Sequence, residues 1–148
     1  MNKYLKSYQS VWVKKIKNTI LLSGVSVLTA FTHAAVAEVT DKPMITMTIA
    51  GQSVYLELAM TKQQRRRGLM YRSELPKDHG MLFVWEKSAK QCMLMKNTRI
   101  DLDVAFIRED GLIDSVHTMQ SNTLNSHCSD GPIRYAIEMS SGFFSGQR

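Results

Sequence analysis

Residues 45–60 read ITMTIAGQSVYLELAM. Apolar and polar side chains alternate before the Gly51-Gln52 pair, and they alternate again after it. Alternation with a period of two is typical of strands that bury one face, and a glycine between two such runs marks the turn of a hairpin. This stretch therefore predicts a half-buried β-hairpin at the start of the folded domain.

A short helix is predicted immediately after this hairpin. The hydroxyl of Thr61 can accept a hydrogen bond from a free backbone N–H, and residues 62–70 contain neither proline nor β-branched side chains. We expect the helix to end near Gly68. The order of elements predicts a mainly β fold, a small barrel-like or sandwich domain with one short helix after the first hairpin. Further strands are predicted at Met81–Trp85, Gln91–Met95, Leu102–Arg108, Leu112–Thr118 and Ile133–Met139.

The first 37 residues have the composition of a secretory signal peptide. Five lysines precede a charge-free run over residues 18–31, and Ala35-Val36-Ala37 supplies small side chains just before the predicted cleavage site. We expect cleavage before Glu38, export to the periplasm or beyond, and one folded domain over residues 38–148. The alternative is an uncleaved inner-membrane anchor at residues 19–37, a run without Asp, Glu, Lys or Arg that approaches the roughly 20 residues needed to span a bilayer.

The positive charge of the chain lies mostly in this N-terminal segment. The whole chain has a net charge of +6, whereas residues 38–148 hold 14 basic and 13 acidic residues, a net charge of +1. Binding to nucleic acid requires a basic patch on the folded domain itself, so we predict no nucleic-acid partner. Contact with a membrane is expected only through the signal segment, if it is retained.

Motifs recur along the predicted domain at Thr61, Arg65, Arg67–Arg72, Gly80–Phe83, Met95–Thr98, Leu102–Ile107, Arg134–Glu138 and Gly142-Phe143. In their order and spacing these motifs resemble the DUF192 family, also called UPF0127. The resemblance extends from Ile49 to Phe144 and implies a compact, β-rich, barrel-like domain that is often exported and has no established biochemical activity. The family usually continues past the Gly-Phe pair with a further strand, so we expect a C-terminus shorter than the family pattern.

The loop that begins at Met95 is the predicted binding site for a small polar ligand. Lys96 would attract an anion, Asn97 would offer a paired donor and acceptor, and Asp103 would accept hydrogen bonds or fix Lys96. The alternative is structural, with Asn97 in a turn conformation and Asp103 closing the loop. The predicted ligand-binding residues are Arg72, Lys96, Asn97, Thr98 and Asp103.

Arg72 belongs to a basic cluster that includes Lys62, Arg65, Arg66 and Arg67, with no acidic residue between Leu58 and Ser73. Such a cluster could meet an anionic ligand or an anionic surface of the cell envelope. The alternative is a solvated helix face with one arginine turned inward.

Cys92 and Cys128 are the only cysteines of the chain. Two thiols in one small domain of an exported protein are expected to form a disulfide. The closed loop spans about 36 residues, which corresponds to roughly 3 to 4 kcal/mol of stabilisation in the chain-entropy model.

Two alternatives use the same cysteines differently. The first is a soft-metal site, because thiolate, thioether and imidazole groups suit Cu(I). The second is a cysteine-dependent enzyme in which His127 acts as the base for Cys128. Residues that would contribute to a copper site are Cys92, Met93, Met95, His117, Met119, His127 and Cys128.

No nucleophile elbow, zinc helix, phosphate loop or dinucleotide fingerprint occurs in the sequence. We therefore predict no catalytic residue, no resident metal and no cofactor. The sequence favours a non-catalytic binding or accessory module of the cell envelope, whose partner is an unknown small polar ligand or an envelope protein.

Overall fold

The computed structural model describes residues 43–145. The predicted signal segment and its cleavage site lie outside the described residues. The elements, in chain order, are β1 Met44–Ile49, β2 Gln52–Ala59, α1 Lys62–Arg67, β3 His79–Ala89, β4 Cys92–Met93, β5 Leu102–Ile107, β6 Ile113–Met119, β7 His127–Cys128 and β8 Ile133–Ser140.

The first hairpin forms as the alternating pattern predicts. β1 and β2 pair antiparallel, with Ile49 opposite Gln52, so the loop consists of Ala50 and Gly51. Both loop residues have positive φ, 50° and 83°, which is the requirement of the type I′ turn that matches the twist of a hairpin. Val54 in β2 is fully buried.

The predicted helix is also confirmed, with its expected ends. The side chain of Thr61 accepts a hydrogen bond from the Gln64 backbone N–H at 3.1 Å, and the Gln64 side chain accepts one from the Thr61 N–H at 2.9 Å. This reciprocal capping box satisfies two N–H groups that the first helical turn leaves free. The helix ends at Gly68, whose φ of 46° lies in the left-handed region.

Six strands form one open sheet in the order β1-β2-β3-β8-β5-β6. β2 and β3 pair in parallel and all other neighbours are antiparallel. A parallel pair needs a crossover connection, which α1 and residues 68–78 supply. The mainly β fold is therefore confirmed as an open, sandwich-like sheet. Its end strands β1 and β6 do not pair with each other, so the sheet does not close into a barrel.

The two shortest strands, β4 and β7, form a separate ribbon. The sequence predicts a five-residue strand around β4, but only Cys92 and Met93 pair, because a turn begins at Met95. Cys92 lies directly opposite Cys128 and is bonded to it, with a Cα–Cα distance of 4.0 Å. The predicted disulfide is present and is compatible with an exported protein.

The sheet buries apolar side chains on both faces. The face that the ribbon covers, called here the ribbon face, receives Leu102, Val104 and Phe106 from β5. The opposite face receives Ala105 from β5 together with Phe144. Along β8 the residues alternate in the same way, so Ala136 and Glu138 project towards the ribbon face, and Ile137 and Met139 project away from it.

No helix within residues 43–145 is long and apolar enough to span a membrane.

Candidate ligand-binding site

A cavity of about 610 Å³ opens on the ribbon face. This volume is within the range of pockets that hold small ligands. Phe83 and Trp85 of β3 form one wall, Met93 of β4 forms another, and Leu69 of the crossover packs beside them. The cavity also reaches Glu138, which lies on β8 in the middle of the sheet.

Glu138 is the most unusual residue of this cavity. It is 6% exposed and is flanked in the sheet by Met81 on β3 and Val104 on β5. Its carboxyl group has no hydrogen-bond or ion-pair partner within residues 43–145. Burial raises the pKa of Glu138 to about 8, because the charged form loses its hydration. At neutral pH the carboxyl is therefore mostly protonated, and it can donate a hydrogen bond as well as accept one.

Five cations line the same cavity: Lys62, Arg65, Arg66, Arg67 and Lys96. Arg65 is fixed in place, because its guanidinium donates hydrogen bonds to the carbonyls of Met60 and Val84 and lies 5.7 Å from the Trp85 ring centroid. Arg65 therefore has the inward orientation that the alternative interpretation of the basic cluster, a solvated helix face, expects of one arginine. The other four cations are exposed and have no ion-pair partner in the described part of the chain.

The turn at Met95–Thr98 brings two predicted ligand-binding residues to the cavity. The Thr98 N–H donates to the Met95 carbonyl at 3.0 Å, and Asn97 has a φ of 60°. Lys96 and Thr98 both line the cavity. Asn97 contacts Tyr71 instead. The side-chain amide of Asn97 donates to the Tyr71 hydroxyl at 3.0 Å, and the backbone carbonyl of Asn97 accepts the Tyr71 backbone N–H at 2.8 Å.

Arg72 lies outside this cavity and pairs with Glu57 at 2.6 Å.

Asp103 projects to the opposite face of the sheet. There it accepts hydrogen bonds from the Thr118 hydroxyl at 2.8 Å and from the backbone N–H groups of Gly142 and Phe144 at 3.0 and 3.2 Å. Of the five predicted ligand-binding residues, the structure therefore brings Lys96 and Thr98 together at the cavity. Asn97 contacts Tyr71, Arg72 pairs with Glu57, and Asp103 holds Thr118 and the turn at Gly142.

Glu138 belongs to a motif that carries the family resemblance, but its sequence context predicts no role for it. The available signal is its position between Ile137 and Met139, in a strand that is otherwise mostly apolar. A glutamate in such a run either faces solvent or is buried, and the period of two alone does not distinguish these cases. The central position of β8 makes it buried.

The cysteines are bonded to each other, so a copper site or a catalytic thiolate would first require reduction. Met95 and Met119 are buried in the core at 1% and 0% exposure. The rings of His117 and His127 lie 6.0 Å apart, and burial, with the neighbouring His117, lowers the pKa of His127. Within residues 43–145 no group of three or more His, Cys, Asp or Glu side chains is placed to hold a metal ion.

The open mixed sheet, its ribbon and its cavity define a small β-domain with a ligand-sized cavity beside the crossover. The profile of the DUF192 family, described as "Uncharacterized ACR", matches residues 45–147. The chain belongs to the DUF192 family.

Two solved structures are similar to this chain. A "putative transcription regulator" from Sinorhizobium meliloti 1021 is 35% identical, with a TM-score of 0.63 over 68% of this chain and 81% of the other. A protein of unknown function from Novosphingobium aromaticivorans DSM 12444 is 23% identical, with a TM-score of 0.66 over 84% of this chain and 93% of the other. At 23% identity, the similarity to the second structure is evidence of a shared fold only. No curated protein matches the chain.

Proposed function

We propose that this protein is an exported binding module that holds a small ligand in the cavity at Glu138. One observation carries the proposal: a buried carboxyl group without a partner opens into a cavity of ligand size. Burying a carboxyl group without a hydrogen-bond partner costs stability, and in folded proteins such groups cluster at functional sites. A ligand that hydrogen-bonds to Glu138 would offset this cost.

The proposal is for binding without catalysis. Among residues 43–145, Glu138 is the only acidic residue that lines the cavity, and the cysteine at its wall, Cys92, is bonded to Cys128. Acid–base or nucleophilic catalysis would need a second group within hydrogen-bond reach of the first. Binding needs only the cavity and its polar contacts.

The cell envelope is the proposed location. The signal-peptide composition of residues 1–37 and the disulfide both favour an oxidising compartment. Intact mass of protein purified from the envelope without reducing agent tests this part. We expect an N-terminus at Glu38 and a mass two hydrogens below that of the dithiol form. An intact Met1 would instead support the membrane-anchor alternative.

The binding proposal is tested by NMR of methyl-labelled methionines in protein purified from the envelope. The probes are N-phenyl-1-naphthylamine, which is uncharged, and its sulfonated analogue 8-anilino-1-naphthalenesulfonate. We expect saturable shifts of the Met70 and Met93 methyl signals, because both residues line the cavity. Met44 and Met139 are the controls, because they lie away from it and should not shift. If neither probe shifts Met70 and Met93, the binding proposal is wrong.

A further inference from the structure

The mouth of the cavity is positively charged. Lys62, Arg66, Arg67 and Lys96 line it, and none of them has an ion-pair partner within residues 43–145. In the described part of the chain no aspartate lines the cavity, and the single glutamate that does so is the buried Glu138. A concave surface lined by one sign of charge attracts ligands of the opposite sign. The mouth therefore favours a ligand that carries an anionic group.

The interior beyond this mouth is apolar. Leu69 and Phe83 are 2% and 1% exposed, and the Trp85 ring stacks on Phe83 with centroids 6.2 Å apart. The Arg65 guanidinium lies 5.7 Å from the Trp85 ring centroid, and its hydrogen bond to the Val84 carbonyl fixes it beside this wall. An apolar ligand body that contacts these rings would leave water, which favours binding.

Glu138 adds a polar contact to this apolar interior. Because its carboxyl has no protein partner, a ligand group that hydrogen-bonds to it replaces the hydration that folding removed. An ammonium group could also pair with this carboxyl. However, a cationic ligand would have to pass the four unpaired cations at the mouth.

We propose that the cavity binds an amphipathic organic anion, with its anionic group at Lys96 and Arg67, its apolar body against Phe83 and Trp85, and a polar group at Glu138. This inference rests on the proposed binding function and adds to it the class of ligand.

The two naphthalene probes provide a matched test, because they share the same rings and differ by one sulfonate. We expect the sulfonated probe to bind at least about tenfold more tightly at low salt, because charged contacts add to the shared apolar ones. This advantage should shrink as sodium chloride is added, whereas the affinity of the uncharged probe should not fall. Equal affinities of the two probes at low salt would overturn the anion proposal and leave the binding function standing. No binding of either probe would remove both.

Substitutions of the cations at the cavity mouth test which of them bind the sulfonate group of the probe. Lys96→Gln and Arg67→Gln should each weaken the sulfonated probe about three- to tenfold and leave the uncharged probe unchanged. Lys77→Gln is the matched control, because Lys77 is exposed and does not line the cavity. Equal loss for both probes, or an equal effect of Lys77→Gln, would contradict the assigned contacts.

Displacement of the sulfonated probe identifies the source of the anion. Displacement by decanoate below its micelle concentration supports a free amphipathic anion. Displacement by phosphatidylglycerol vesicles supports the same chemistry presented by a bilayer. Stronger displacement by decyltrimethylammonium than by decanoate, whose chain has the same length, would show a preference for cations and would overturn the proposal.

Discussion

The substitution Glu138→Gln should stabilise the protein, and by an amount that grows with pH. The pKa of Glu138 rises on folding from 4.5 to about 8, because the carboxyl is buried among apolar side chains. Between these two values the unfolded chain has released the proton and the folded chain still holds it. Stability is therefore lost as pH rises above 4.5, and the loss is complete above pH 8. Glutamine keeps the shape of the side chain and removes the titration.

The size of the effect follows from the same two pKa values. They differ by about 3.5, and each pKa unit corresponds to about 1.4 kcal/mol, so the limiting cost of ionisation is about 5 kcal/mol. Over the accessible range from pH 5 to pH 8, we expect the stability difference between Glu138→Gln and the parent protein to grow by about 3 to 4 kcal/mol. Water in the cavity can reach the carboxyl, so this figure is an upper limit.

Urea denaturation at pH 5, 6, 7 and 8 measures this difference. Glu86→Gln is the matched control, because Glu86 is exposed on β3 and does not line the cavity, so its stability should stay within about 0.5 kcal/mol of the parent. His127, whose pKa is lowered by burial, destabilises the fold as pH falls, but it does so equally in both proteins and cancels in the difference. Parallel stability curves for Glu138→Gln and the parent would refute the burial of an unpartnered carboxyl.

Three further predictions concern stability. Replacing Cys92 and Cys128 by alanine should lower the free energy of unfolding by about 3 kcal/mol, measured by urea denaturation without reductant; unchanged stability would mean that the disulfide constrains little. Gly80→Ala should destabilise the fold by about 1 to 3 kcal/mol and lower its melting temperature, because the added Cβ would overlap the neighbouring strand β8. An unchanged melting curve would contradict the close approach of Gly80 to β8. Asp103→Asn should lower the free energy of unfolding by about 2 kcal/mol, measured by urea denaturation, because the carboxylate that accepts two backbone N–H groups is replaced by an amide. The affinity for the naphthalene probes should be retained. Loss of that affinity in the folded protein would place Asp103 in the ligand site.

Features determined by local sequence could be predicted. The capping box at Thr61, the helix end at Gly68 and the alternation in the first hairpin each depend on residues close together in the chain. Local hydrogen bonds and side-chain periodicity are sufficient to specify them. The Met95–Thr98 turn belongs to the same group, because an asparagine accepts positive φ readily.

Features determined by long-range pairing could not be predicted. The sequence contains no local signal that β2 pairs in parallel with β3, or that β8 lies between β3 and β5. These pairings bury Glu138, and they direct Asp103 to the turn at Gly142, 39 residues away in the chain. Lys96 and Thr98, from the loop after Met95, line one cavity, but the other wall comes from the distant crossover.

The parallel pairing of β2 with β3 has an evolutionary consequence. It forces the chain to leave the sheet between residues 59 and 79, and this excursion supplies Lys62, Arg66, Arg67 and Leu69 to the cavity. Substitutions in the excursion can alter the charge and shape of the cavity without changing any strand register. Related chains can therefore diverge in the lining of this cavity while the sheet is inherited unchanged, and residues 60–78 are the segment whose variation would record that divergence.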